Sequence, residues 1–466
     1  MKYILSFLAV ALMLYDYDKI RKGSRRVVKL IYFELLYNLV IKFLIGSLGL
    51  TSMLNYVTDA VLIWILAEFM YQKGEKRIPL SLVICASLLW VSSILSYALN
   101  VYSPLLYLWG FRNNFRFILY AMMCAAYLRK RDIETIMDIL YGFFLLNILV
   151  VTYQFFFVSY SESAIGDFIS GLFSNGARRG GNASLDWLMC IVTTYAIVKY
   201  LNKTGSLKNA MICIAGSLYM ASLAEIKLYF LQLVMIGLLS ILICKKSFKS
   251  FGFALLGIIG LFIGIQFLYW AFPKFADFFN METIIGYVTK SGGYSSRGYS
   301  SGVDRATAFS YVLEHFLHTF SQRVFGIGLG NADFSSFAAL TSEFYRRNSW
   351  SGYMFFSSSF VTVELGILGF ILYATYFANY IRFSAKKVQT KSALTSAEKS
   401  VLHTVIIIGL MSFVMILSNQ TMKMETSAYM VNCVLTFAFV VCKDNDSSEV
   451  GQSLISDITR RKKNGI

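Results

Sequence analysis

Long apolar runs, separated by short polar and mostly basic segments, occupy most of this sequence. A helix needs about 20 apolar residues to cross the roughly 30 Å hydrocarbon core of a bilayer. Thirteen segments approach or exceed that length, at residues 2–15, 27–50, 53–71, 78–98, 105–128, 134–158, 184–201, 207–223, 228–243, 251–272, 353–380, 400–418 and 425–441. Because a spanning helix satisfies its own backbone hydrogen bonds in lipid, we predict an all-α polytopic membrane protein with about 13 transmembrane helices.

The composition excludes several other classes of protein. Hydrophobic residues make up 57% of the 466 residues and charged residues 15%, with only 3 prolines. Soluble domains average about 45–50% apolar and 25% charged residues, so a soluble enzyme, a disordered chain and a fibrous protein are all excluded. The formal net charge of +17 is attributed to membrane topology, and no nucleic-acid partner is expected.

The positive charges alternate along the chain and predict its orientation. Of the 43 Lys and Arg residues, 28 lie in alternate connections, at residues 19–29, 73–77, 129–131, 199–208, 245–249, 382–399 and 443–463. The basic side of a membrane protein faces the cytoplasm, which places the N-terminus outside and the C-terminus inside. That arrangement requires an odd number of spans. The basic residues follow the first apolar run rather than precede it, so we interpret residues 2–15 as a retained span and not as a signal peptide.

The spans group into four predicted regions. These are an N-terminal bundle of about ten helices (1–272), a large extracytoplasmic loop (273–352), C-terminal transmembrane helices (353–442) and a basic cytoplasmic tail (443–466). Long loops translocate regardless of their charge, so the basic residues of the large loop do not contradict its outer location. Within it, residues 290–302 are rich in Gly, Ser and Tyr, and residues 303–320 predict one amphipathic helix near the membrane surface.

Two arginine pairs lie on the predicted outer side. Arg112 and Arg116 are four residues apart and share a helix face just inside the apolar zone, where a cation is costly and usually faces a polar cavity. The alternative is a structural ion pair or snorkelling to lipid phosphate. Arg178 and Arg179 lie among glycines, and two guanidinium groups suit a pyrophosphate. The alternative there is a solvated loop.

Two further outer segments carry ionisable side chains. Glu225 and Lys227 occupy a very short connection between two spans, where they form either a functional pair or a mutual ion pair that caps the helices. Arg305 begins the predicted amphipathic helix, which also carries His315. An imidazole there could act as an acid, a base or a ligand, or simply belong to a hydrated helix face.

A glycine-rich word and an intramembrane carboxylate complete the set of candidate features. Gly326-Ile-Gly-Leu-Gly330 has the spacing G-x-G-x-G, which is not that of a dinucleotide site, and its glycines permit a tight backbone path. Glu364 lies in the Val363–Phe370 stretch of the eleventh span. None of the seven cysteines forms a C-x-x-C pair and no zinc spacing occurs, so neither a metal site nor a cofactor is expected.

The segment Phe325-Gly-Ile-Gly-Leu-Gly-Asn331, followed by an outer stretch and by Ser357-Ser-Ser-Phe-Val-Thr-Val-Glu-Leu-Gly-Ile-Leu-Gly369, resembles the O-antigen and capsular polysaccharide polymerase family (Wzy type). The related O-antigen ligases share this pattern. The resemblance covers the order of spans, the position of the large loop and the arginine-bearing loop before the seventh span. The ligases carry a His-Asn pair before the Glu-Leu-Gly word, and this chain has Phe355-Phe-Ser-Ser358 instead, which favours a polymerase.

The resemblance implies a metal-independent, inverting membrane glycosyltransferase similar to the GT-C class, in the bacterial cytoplasmic membrane. Its substrates would be oligosaccharide repeat units on undecaprenyl pyrophosphate, with a chain-length regulator and a flippase as further partners. We predict Glu225 and Arg305 as catalytic residues. The predicted residues for substrate and pyrophosphate binding are Arg178, Arg179, Lys227, Arg112, Arg116 and His315.

Two alternative functions remain open at this stage. An O-antigen ligase would use the same class of lipid-linked donor. A polysaccharide-precursor flippase or another transporter would also be polytopic, but it predicts internal repeats and short loops, and this chain has no evident repeat.

Overall fold

The computed structural model describes residues 26–71, 78–160, 168–174, 181–245, 303–335, 337–390 and 394–443. In these ranges the protein is helical and contains no β-strand. The α-helices are α1 (Arg26–Gly46), α2 (Val57–Tyr71), α3 (Leu80–Asn100), α4 (Pro104–Tyr127), α5 (Lys130–Phe157), α6 (Asn182–Leu201), α7 (Leu207–Leu223), α8 (Lys227–Lys245), α9 (Ala308–His315), α10 (Phe320–Phe325), α11 (Glu343–Asn348), α12 (Ser357–Thr390), α13 (Ser396–Ser418) and α14 (Glu425–Leu435).

Helices occupy the predicted spans that fall within these ranges, with ends within about ten residues of those expected. Within the described residues, eight helical segments are long and apolar enough to cross a membrane, at Ser52–Tyr71, Leu80–Asn100, Lys130–Phe157, Asn182–Leu201, Lys227–Cys244, Ser357–Thr390, Ser396–Ser418 and Glu425–Lys443. The all-helical membrane class is therefore confirmed. The predicted spans 2–15 and 251–272 lie outside the described residues, and the total of thirteen stays a prediction.

The bundle has central and peripheral helices. In the apolar stretch of Glu425–Lys443, 94% of the residues are buried inside the protein, and in that of α13 the share is 78%. The corresponding share for α3 is 28%, and its exposed side chains include Leu88, Trp90 and Val91. An exposed helix face that is this apolar is suited to contact with lipid.

Contacts between helix ends show which ends lie on the same side of the bundle. At one end the first turns of α2, α4, α6, α12 and α14 meet the last turns of α1, α3 and α13, and we call it the outer end, after the predicted topology. At the opposite, inner end Lys130 pairs with Glu398 at 2.6 Å. The Lys443 ammonium also donates a hydrogen bond there to the Ala126 carbonyl.

The described part of the large loop folds onto the outer end around its own apolar core. That core consists of Val303, Ala308, Val312, Leu317, Ile327, Ala332, Tyr353, Phe356, Phe360 and Val363. The single helix predicted over residues 303–320 is wrong, because the chain forms α9, breaks, and begins α10 at Phe320. Thr319 explains the break. Its hydroxyl accepts from Gln322 N at 3.2 Å and its own N–H donates back to the Gln322 side chain at 3.3 Å, which is a capping box.

Candidate functional site

The turn between α13 and α14, residues 418–425, is where the elements of the outer end meet. Arg305 Nε donates to the Ser418 carbonyl at 3.1 Å, which joins the large loop to the C-terminus of α13. Ser357 donates to the Asn419 carbonyl through both its N–H and its hydroxyl, each at 3.0 Å. Trp187 Nε1 donates to Thr421 Oγ1 at 3.0 Å. One short turn thus holds the loop, α12 and α6 together.

Five ionisable side chains form a cluster beside this turn, and we call it the outer ion network. Its members are Lys42, Asp59, Arg112, Arg116 and Glu425. Arg112 pairs with Asp59 at 2.6 Å, and Arg116 pairs with Glu425 at 2.7 Å and reaches Asp59 at 3.8 Å. Lys42 closes the cluster on Glu425 at 3.0 Å. Three cations therefore face two carboxylates.

The geometry of the outer ion network follows from helix position. Arg112 and Arg116 lie on one face of α4, as their spacing predicts, and α14 begins with Glu425. Asp59 is in the first turn of α2, and carboxylates in the first turn of a helix are stabilised by its exposed N–H groups. Trp109 and Tyr56 place ring faces 4.8 and 5.3 Å from the Arg112 guanidinium. Of the two interpretations left open by the sequence, the structural ion pair describes the contacts of these arginines.

A second polar centre surrounds Glu364, about two turns into α12. Its carboxylate accepts from Gly330 N at 2.9 Å, from Lys423 Nζ at 3.3 Å and from Asn114 Nδ2 at 3.4 Å. The side chain of Glu364 is only 1% exposed and that of Lys423 only 6%. Lys423 also lies over the Phe360 ring, 3.2 Å from its centroid. A carboxylate and an ammonium buried to this extent are stable only as partners.

The G-x-G-x-G segment reaches Glu364 because glycine permits close approach of the backbone. Ile327 N donates to the Val363 carbonyl at 2.9 Å and Gly328 N to the Glu364 carbonyl at 3.0 Å. Gly330 has φ of +80°, and a Cβ on it would overlap the Leu106 carbonyl of α4. The two sequence words that carry the polymerase resemblance are therefore in direct contact.

Helix α4 connects the Glu364 centre to the outer ion network. Asn113 Oδ1 accepts from Arg112 Nη1 at 2.7 Å, and Asn113 Nδ2 donates to Asp333 Oδ2 at 2.7 Å. Its neighbour Asn114 donates to Glu364. Three consecutive residues of α4 thus make three different contacts. Arg112 belongs to the outer ion network, Asn113 contacts the large loop and Asn114 contacts α12.

The predicted site residues lie at different distances from these two centres. Arg305 is half-buried on the Ser418 carbonyl, at the negative end of the α13 dipole, where a cation is stabilised. Glu225 and Lys227 are half-buried in the turn between α7 and α8, where Glu225 has a left-handed backbone with φ of +53°. Arg178 and Arg179 lie outside the described residues, as does the Tyr-rich stretch 290–302.

His315 is placed on the surface of the large loop. It is exposed, its ring stacks on Tyr311 with centroids 4.2 Å apart, and its Nδ1 lies 3.1 Å from the Tyr311 carbonyl oxygen. These contacts are those of a solvated helix end, in agreement with the second interpretation that the sequence left open.

Four residues of the outer centres were missed as site residues by sequence reasoning: Lys42, Asp59, Lys423 and Glu425. Lys423 was recognisable as the single cation of an otherwise uncharged outer turn, residues 419–424. The others belong to helix ends that lie far apart in sequence, and no spacing rule relates Lys42 to Glu425. Among the described residues, no group of three or more His, Cys, Asp or Glu side chains could hold a metal ion.

No protein-family model matches the chain, and no curated protein matches it.

Proposed function

We propose that this protein polymerises lipid-pyrophosphate-linked oligosaccharide repeat units at the outer face of a bacterial cytoplasmic membrane. The observation that carries the proposal is the contact between the G-x-G-x-G segment and the Glu364 word at the outer end of the bundle. These two words carry the resemblance to the Wzy-type polymerases, and the residues that join them, Ile327 with Val363 and Gly330 with Glu364, are more than 30 positions apart in the chain. Because the two words meet around a buried Glu–Lys pair, we infer that they serve the same function.

The proposed reaction is an inverting glycosyl transfer. A hydroxyl of the acceptor repeat unit attacks the anomeric carbon of the donor glycan. The bond from that carbon to the pyrophosphate oxygen breaks, and undecaprenyl pyrophosphate leaves. Negative charge develops on the leaving group, so fixed cations at the outer end would stabilise the transition state. Among the described residues, Arg305 and Lys227 are the cations that we propose for this role. Arg178 and Arg179, which lie outside the described residues, are the other two proposed cations.

The roles of the remaining residues follow from their contacts. Glu225 is the proposed base that takes the proton of the attacking hydroxyl. Arg112 and Arg116 pair with Asp59 and Glu425, so we assign them first to holding α4 against α2 and α14, and to phosphate contact only where the substrate displaces a carboxylate. Lys423 and Glu364 position the large loop, through Gly330, beside the turn that Arg305 contacts.

The proposal is tested by reconstitution. Purified protein in lipid vesicles is given undecaprenyl-pyrophosphate-linked repeat units, and the products are separated by chain length. We expect a ladder of longer glycans and stoichiometric release of undecaprenyl pyrophosphate, both of which persist in excess EDTA. Unchanged single repeats over the full time course contradict the proposal.

A deletion strain separates the alternatives in cells. Loss of polymer, with single repeats still attached to the final acceptor, indicates a polymerase. Loss of both indicates a ligase, and accumulation of lipid-linked repeats on the cytoplasmic leaflet indicates a flippase.

A further inference from the structure

A polar cluster at the inner end has no part in the proposed reaction. Cys244 Sγ lies 3.3 Å from Nδ1 of His403. Asn202 places its Nδ2 3.3 Å from the same imidazole nitrogen and 3.8 Å from the Cys244 sulfur. The three residues come from different elements, because Cys244 is in the last turn of α8, His403 is in α13 and Asn202 follows α6. A thiol, an imidazole and an amide thus converge on one point.

The three groups form one polar cluster around a single ring nitrogen. The Cys244 sulfur and the Asn202 amide nitrogen each lie 3.3 Å from Nδ1 of His403, so the imidazole is within direct proton-transfer distance of the thiol. When a proton is on Nδ1, the imidazolium N–H donates to the thiolate, and the Asn202 amide nitrogen, 3.8 Å from the sulfur, is a second donor to it. An imidazole beside a cysteine is a common means of raising the fraction of reactive thiolate.

Exposure distinguishes Cys244 and Cys85 from the other thiols, and the neighbouring imidazole distinguishes Cys244 from Cys85. Of the seven cysteines, five are buried, and only Cys244 and Cys85 are half-buried. The other two histidines of the chain, His315 and His318, belong to the large loop at the outer end, so Cys85 at the start of α3 has no comparable neighbour. The sequence next to Cys244 is also basic, with three lysines over residues 245–249, and positive charge favours a thiolate.

We infer that Cys244 is a nucleophilic thiol that forms mixed disulfides with low-molecular-weight disulfides on the predicted cytoplasmic face. The Cys244 proton passes to His403 Nδ1, and the thiolate attacks one sulfur of the disulfide. The sulfur–sulfur bond of the reagent breaks, its second sulfur leaves as a thiolate, and the imidazolium returns the proton to it. The exchange is balanced, because one disulfide and one thiol enter and one disulfide and one thiol leave. This modification site is independent of the proposed glycosyl transfer.

Glutathione disulfide is the probe for the test. Purified full-length protein in lipid nanodiscs is incubated with it at neutral pH, and glutathionylation of each cysteine is followed by peptide mass spectrometry. We expect Cys244 to react at least about tenfold faster than Cys85, because an unassisted thiol is mostly protonated at this pH. Equal rates at Cys244 and Cys85 would overturn the inference without any variant.

Substitution of the neighbours adds a second measurement. His403→Gln should slow the reaction at Cys244 about tenfold and leave the rate at Cys85 unchanged, and Asn202→Ala should slow it by a smaller factor. The melting temperature of each variant is recorded in the same preparation. A folded His403→Gln protein that reacts at the wild-type rate contradicts the activation by His403. If that variant does not fold, the inference is tested by the relative reaction rates of Cys244 and Cys85 in the wild-type protein.

Discussion

At the scale of single residues, the charged side chains of the outer end differ in how deeply they are buried. Glu364 and Lys423 are almost completely buried and depend on each other, whereas Arg305 and Glu225 are half-buried at helix ends. Removing one partner of a buried pair leaves a charge without compensation, which is far more costly than removing the pair itself. This difference allows structural and chemical roles to be separated by substitution.

Lys423→Met should lower the free energy of unfolding by about 3–5 kcal/mol, because it leaves the Glu364 carboxylate buried without its ammonium partner. The double variant Lys423→Met with Glu364→Gln should recover a large part of this loss. Thermal unfolding in detergent measures both. Arg347→Met is the matched control, since its ion pair with Glu343 is exposed and such pairs contribute about 0–1 kcal/mol. Equal losses in Lys423→Met and Arg347→Met would mean that Lys423 and Glu364 are not a buried pair.

Arg305→Ala should reduce polymerisation about 10²–10³-fold, as expected when one donor to a leaving group is lost. Arg305→Lys should recover little, because a single ammonium does not reproduce the forked guanidinium. Polymer length and amount are measured in cells that contain the protein at the normal membrane level, with Lys386→Ala on the inner side as the control. Normal polymer in the Arg305→Ala strain contradicts the assignment of the large loop to the active site.

Glu225 combines a proposed chemical role with a strained backbone. Glu225→Gly should raise stability by up to about 1 kcal/mol, because glycine adopts a positive φ without steric cost. The same variant should abolish turnover, as should Glu225→Gln. Turnover per folded molecule and melting temperature are measured together. A glycine variant that is stabilised and fully active would show that Glu225 is only a turn residue.

At the scale of elements, glycine determines how the large loop packs on the bundle. Gly330 fits against α4, and Gly366, with φ of +68°, bends α12 where a Cβ would overlap the Val324 carbonyl. The bend lets the first two turns of α12 accept hydrogen bonds from the G-x-G-x-G segment. Loop and helix therefore form one unit through backbone contacts rather than through interdigitated side chains.

Gly330→Ala should displace the segment of residues 326–330 from α4 and abolish polymerisation, since the added methyl group overlaps backbone that cannot yield and φ is +80°. Gly237→Ala in α8 is the control. Among the described residues, no atom beyond the helix's own backbone lies within 4 Å of a Cβ at that position, and alanine in a helix interior is favoured by about 1 kcal/mol over glycine. Limited proteolysis of the large loop and polymer assays report the two effects. Similar protease resistance and activity in both variants would contradict this packing.

At the scale of the whole molecule, the proposed chemistry and the inferred thiol lie at opposite ends of the bundle. Helix α13 extends from the His403 cluster at the inner end to Ser418, which Arg305 contacts. The predicted orientation places the first end in the cytoplasm and the second outside. The orientation is therefore the property on which both proposals depend most.

Single cysteines can test the orientation. In a background with Cys85→Ser and Cys244→Ser, Ala339→Cys in the large loop should be labelled by a membrane-impermeant thiol reagent in intact cells. Gln389→Cys, at the end of α12, should be labelled only after permeabilisation. Both positions are exposed, so the difference reports the side of the membrane and not burial. The reverse pattern would invert the topology.

The sequence alone predicted the helices well, because each span is a local property of apolar composition and length. The ends of α7 at Leu207 and Leu223 match the predicted span, and those of most other described spans lie within about five residues. The common helix face of Arg112 and Arg116 also followed from spacing. The helix break before Phe320 was missed, since the capping pair Thr319–Gln322 was outweighed by apolar periodicity.

The partners of each charge were decided only by the tertiary structure. Spacing shows that two arginines share a face, but it does not show that Asp59 and Glu425 meet them there, because those carboxylates come from other helices. Likewise, the role of Lys423 depends on the burial of Glu364, and the contact of Cys244 with His403 joins residues 159 positions apart. Helix formation is specified by neighbours along the chain, whereas ion pairing and thiol activation depend on which helix ends the packing brings together.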